Sequence, residues 1–80
     1  MVSELSTPNK VVGAKQAKRA LNDGRAKKVF IAGDADPRVT QPLAQAAVNQ
    51  RVPVELVPTM RELGAACGIA VGSAVAAIVE

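Results

Sequence analysis

KVFIAGDADP, Lys28 to Pro37, holds a strand, a turn and a helix start in ten residues. Lys28-Val29-Phe30-Ile31-Ala32 is a short, almost continuous apolar run, the pattern of a strand covered on both faces. Gly33-Asp34 ends it. Asp36-Pro37 then offers an N-cap carboxylate followed by proline at the first helical position, where its missing N–H does no harm. A buried strand running within a few residues into a capped helix is the unit of an α/β fold.

Working outward, the same alternation recurs. Downstream, Val39, Leu43, Ala46 and Ala47 give the inward stripe of a helix reaching about Gln50. Pro42 interrupts it, since an interior proline costs about 3 kcal/mol: either the helix kinks there or, the reading preferred, its regular part begins later, capped by Thr40. Val52 to Val57 reads as a second strand, with Pro53 near its start indicating an edge or first-residue position. Thr59 and Glu62 have capping-box spacing for a short helix through Leu63, Ala65 and Ala66 that stops at Gly68. Ile69 to Gly72 is a loop, and Ala74 to Val79 closes the chain as another buried strand.

Upstream, Ala14, Ala17 and Leu21 recur at helical spacing over residues 14–23, with Ala20 beside them and Gly24 as the stop. Val11-Val12 can add a short first strand. Residues 1–9 form an N-terminal extension with a marginal helix over Ser3 to Thr7. The expectation is one domain over residues 1–80, a three-layer α-β-α sandwich around a small mixed, largely parallel sheet.

Composition restricts the chemistry. Eighty residues bury only about 60% of the surface exposed by the unfolded chain, and fifteen alanines with a single aromatic residue make a thin core. With no histidine and one cysteine, neither imidazole catalysis nor a zinc site of usual ligands can be built within the chain. Cys67 excludes an internal disulfide, fits a reducing compartment and reads as a small buried apolar side chain. Asp34 and Asp36 resemble a catalytic carboxylate pair but lack an acid-base partner, and no phosphate-binding or dinucleotide glycine motif is present. No catalytic residues, cofactor or metal are therefore expected. The uncharged run Leu63 to Val79 is shorter than the ~20 residues of a spanning helix and is broken by Gly64, Gly68 and Gly72. MVSELSTPNK lacks the basic start and apolar run of a signal peptide, so a cytoplasmic location without membrane attachment is expected.

Charge points to a partner. The net charge is +3, yet residues 10–28 carry +6 and the remainder −3. Lys15, Lys18 and Arg19 sit in the first turns of a helix, where the macrodipole is already positive and carboxylates belong. An external polyanion resolves that conflict. One phenylalanine cannot furnish the aromatic platforms of single-strand binders, so a structured nucleic acid is the better ligand. Gly13 and Ala14 allow a backbone close to the helix start, Lys15, Gln16 and Arg19 can reach base edges, and Lys18, Lys27 and Lys28 suit phosphates.

Three segments carry a family resemblance. Gly13-Ala14-Lys15-Gln16 with Arg19, then Ile31 to Pro37, then Leu63 to Ile69 resemble the signature segments of the ribosomal kink-turn RNA-binding family, and most closely its short bacterial YbxF-type members. The resemblance spans about residues 10–80. It implies an α-β-α sandwich that binds a kink-turn: an RNA duplex bent at a bulge beside tandem sheared G·A pairs, as in ribosomal RNA or a riboswitch; a monomer is expected. It further implies that Lys15, Gln16 and Arg19 face the guanine edges, that Ile69, Ala70 and Val71 cover a bulged nucleotide, and that Asp36 faces that nucleotide. Lys15-Gln16 replaces the Asn-Glu of many members, which removes a carboxylate acceptor, and Met60 stands where the spliceosomal member has lysine. Two other readings stay open: a sequence-tolerant binder of duplex nucleic acid, and a protein-interaction module of ribonucleoprotein assembly.

Overall fold

The computed structural model describes Leu5 and residues 7–79. Along the chain lie β1 (Lys10–Val12), α1 (Ala14–Asn22), β2 (Ala26–Ala32), α2 (Pro37–Asn49), β3 (Val54–Val57), α3 (Met60–Ala66) and β4 (Val75–Val79). The marginal helix expected over Ser3 to Thr7 falls largely outside the described residues, but Leu5 is fully buried beside Phe30 and Leu63.

One four-stranded sheet, in the order β1-β4-β2-β3, forms the middle layer. Its central strands are covered on both sides, as their unbroken apolar runs require. Val29, Ile31, Val75 and Ala77 pack with Ala17 and Leu21 of α1 and Leu43 and Ala47 of α2. On the other face Phe30, Ala32 and Ala76 meet Leu63, Cys67 and Leu5. The outcome is the expected three-layer sandwich. Cys67 is free and buried, and burial pushes its thiol pKa up. β3 is an edge strand, with Pro53 just outside it.

Two expectations are corrected. The sheet is mixed but not largely parallel: β2 and β3 pair parallel, whereas β4 is antiparallel to both β1 and β2. The cause lies after α3. The chain doubles back along that helix, with Ser73 N–H donating to the Met60 carbonyl at 3.0 Å, so β4 enters the sheet at the end where β1, β2 and β3 leave it. The second correction concerns Pro42. α2 is continuous from Pro37, capped by Asp36 rather than Thr40. Pro42 withholds one N–H from the carbonyl of Arg38, an exposed residue where water can substitute, while burial of Thr40, Leu43 and Ala47 along the same helix offsets the loss.

Candidate nucleic-acid interface

Because β1, β2 and β3 run in the same direction, the starts of α1, α2 and α3 gather at one end of the sheet. Two of these starts are closed by side chains. The Asp36 carboxylate accepts from Arg38 N–H at 2.9 Å, and Thr59 Oγ1 accepts from Glu62 N–H at 3.1 Å. Asp34 adds a second acceptor for α3, taking Met60 N–H at 2.7 Å. The start of α1 has no side-chain cap and no acidic residue in its first turn. Its leading N–H groups remain available to an outside acceptor.

Gly13 shapes that opening. Its φ of 106° and ψ of 151° lie in a region essentially reserved for glycine, and a Cβ there would meet Gln16 Oε1 at 3.0 Å. The Gln16 carboxamide therefore folds over the helix start. Ala17, Ala20 and Leu21 are buried, which turns Lys15, Gln16, Lys18 and Arg19 outward, all exposed. Among the described residues neither Lys15, Lys18 nor Arg19 forms an ion pair. With only nine residues in α1, Arg19 also belongs to its last turn, where a cation is favourable. The electrostatic conflict thus rests mainly on Lys15.

A chain of hydrogen bonds ties the first two segments singled out in the sequence to the residues that flank the third. Gly13 N–H and the Ser73 hydroxyl both donate to the Val75 carbonyl, at 2.8 and 2.7 Å. Ser73 N–H donates to the Met60 carbonyl, and Met60 N–H donates to Asp34. The helix start, the loop containing Ile69, Ala70 and Val71, and the turn leading to Asp36 are thereby fixed at one end of the molecule. All three loop residues are exposed, Val71 at 71%. With Met60 they give an apolar surface suited to the face of a base.

Asp36 is more committed than its sequence position suggests. Beyond capping α2, it receives the Arg38 guanidinium in a fork, Nη2 to Oδ2 at 2.9 Å and Nε at 3.2 to 3.3 Å. These bonds hold its carboxyl below the usual aspartate range. Lys27 and Lys28 are not brought to this end. Lys28 lies three residues before Ile31, roughly 10 Å back along β2. It points to the α3 side, paired with Glu55 at 2.9 Å and 5.1 Å from the Phe30 ring centroid. Lys27 is exposed beside a register shift in the β2–β4 pairing.

Ser73 and the structural roles of Asp34 and Gly64 escape the sequence reading. The Asp34–Asp36 pair was visible, but a carboxylate serving a helix start 26 residues away leaves no local signal. Among the described residues, no group of three His, Cys, Asp or Glu side chains could hold a metal ion, and no helix is long and apolar enough to cross a membrane.

Comparison with known proteins adds the family. The family model described as ribosomal protein L7Ae/L30e/S12e/Gadd45 matches residues 3–80. The chain belongs to that family. It is 47% identical over 70 residues to an RNA-binding protein of Geobacillus sp. (strain WCH70), covering 88% of this chain and 85% of that one. It is 45% identical, with the same coverage, to the RNA-binding protein YbxF of Geobacillus stearothermophilus. Among solved structures, the 15.5kD RNA binding protein of Giardia lamblia superposes with a TM-score of 0.86 at 34% identity over 95% of this chain; the match spans 64% of the Giardia chain. The architecture is thus shared with the Giardia protein, and the family resemblance read from the three sequence segments holds.

Proposed function

We propose that this protein binds RNA without catalysis and, as a single copy, recognises kink-turns. The uncapped, cation-bearing start of α1 carries the reading, tied through Val75 and Ser73 to an exposed apolar loop. The names of its relatives, RNA-binding proteins, agree with it. In this arrangement a widened major groove receives α1, where Lys15 and Arg19 donate to guanine O6 and N7 and Gln16 can both donate and accept. Lys18 meets a phosphate, while Ile69, Ala70 and Val71 cover the bulged base. Kinked RNA is selected because only that conformer presents groove and bulge together.

Titration of a kink-turn RNA against the same RNA with its G·A pairs replaced by Watson–Crick pairs tests this. The expected outcome is strong preference for the kink-turn, with Lys15→Ala or Arg19→Ala weakening binding by ~1–3 kcal/mol and blurring the preference. Equal binding of both RNAs would support a sequence-tolerant duplex binder instead.

A further inference from the structure

Two of the clefts on the described surface differ in sign. One, about 540 Å³, lies between β3 and α3 and is lined by Glu55 and Glu62. The other, about 370 Å³, lies between α1 and α2, with Lys15, Lys18 and Arg38 on its walls and Leu21, Pro42 and Leu43 among its apolar lining. No acidic residue lines this second cleft. Three cations around one hollow repel one another, and among the described residues Lys15 and Lys18 have no counter-ion. Arg38 is tethered only at its tip, to Asp36, and its side chain is 90% exposed. It can exchange that carboxylate for a phosphate with no change to the α2 cap, because the cap uses its backbone N–H.

We propose that the α1–α2 cleft is a second RNA-contact site, which takes a backbone phosphate and its sugar from the strand leaving the helix start, held by Arg38 and Lys18. The cleft begins at Ala14 and Lys15, so it is continuous with the surface assigned above to base reading, and this inference rests on that reading. Its size suits about one nucleotide's sugar and phosphate. The aliphatic lining matches the ribose, and the cations match the phosphate. The β3–α3 cleft has Glu62 and a Glu55 already paired with Lys28 in its lining and no cation there to hold the same group. When Arg38 moves to the phosphate, Asp36 Oδ2 becomes available to a base donor while Oδ1 keeps the cap, so the two contacts reinforce each other.

The test measures affinity for a kink-turn RNA between 50 and 300 mM KCl (about the range where counterion release dominates) for the wild type, Arg38→Gln, Arg38→Lys and Lys18→Gln. Arg38→Gln is expected to bind about fivefold more weakly and to flatten the log–log salt slope by about 0.7 to 0.9, with Arg38→Lys restoring the slope and Lys18→Gln lowering it similarly. Thermal melting of the free variants checks that the fold is intact. Affinity within twofold of wild type at an unchanged slope overturns the proposal, and so does weaker binding at an unchanged slope, because that outcome removes the phosphate. If the wild type fails to prefer the kink-turn over its G·A-replaced control, the kink-turn reading falls, and the Arg38→Gln slope on either RNA still decides the cleft.

Discussion

Gly64→Ala separates local helix preference from tertiary fit, because the two predict opposite signs. In isolation the change should stabilise α3 by about 1 kcal/mol, the ordinary advantage of alanine over glycine inside a helix. In the folded protein Gly64 is buried against the returning loop. A Cβ there would drive into the Val71 carbonyl oxygen and come within 3.0 Å of the Gly72 Cα and the Val71 carbonyl carbon. All are backbone atoms, so no side chain can swing aside. The loop has to withdraw, which strains the 3.0 Å bond from Ser73 N–H to the Met60 carbonyl and the packing of Gly72 on Met60. Overpacking of this kind costs about 1–3 kcal/mol, and the strained hydrogen bond adds about 1 kcal/mol. After the propensity gain, the net destabilisation is about 2 kcal/mol, a fall in Tm of roughly 8–16 °C for a domain of this size. Thermal denaturation followed by circular dichroism measures it. RNA affinity below the melting range should also fall, because Ile69, Ala70 and Val71 move with the loop. A Tm equal to or above that of the wild type would refute the close approach and the reason given for the direction of β4.

Further outcomes follow from the core and from Asp36. Phe30 is the largest fully buried side chain, so Phe30→Ala should cost about 3–5 kcal/mol in urea unfolding, most of the stability of so small a domain; a loss under 1 kcal/mol would contradict its place at the centre of the α3-side core. The Asp36 carboxyl is depressed by its bonds to Arg38, so its contribution to the fold is complete above the ordinary aspartate pKa of about 3.9 and disappears as pH falls through the lower native value. Carboxyl NMR titration should place the native midpoint below that of a free aspartate, and Arg38→Gln should raise it. A native midpoint at or above the free value would contradict the ion pair.

Some of this protein was legible residue by residue. The apolar run Val29 to Ala32, the caps at Asp36 and Thr59 and the alternating stripes of α1 are local patterns, and local patterns specify a sandwich of helices around a covered sheet. The surplus of cations at the start of α1 was equally local, and so was the polyanionic partner it implied. Pro42 misled because its penalty is local whereas the burial of Leu43 and Ala47 that outweighs it is tertiary. The spacing of Gly64, Gly68 and Gly72 matched neither a phosphate-binding nor a dinucleotide motif; its packing role appears only when the loop is laid back on α3, where Gly64 and Gly72 permit backbone contact that a side chain would block. That doubling back reverses β4, and the bonds through Val75, Ser73, Met60 and Asp34 then fasten the start of α1 and the turn before α2 to the two ends of the α3–loop segment. Sequence by itself determined the layers, the covered strands and the sign of the partner's charge, because these depend on side-chain type and spacing along one stretch of chain. Tertiary structure alone decided the strand direction, the use of Asp34 as an acceptor for α3 and the placement of Lys28 away from the start of α1, because each depends on which distant backbone or side-chain atoms come into contact.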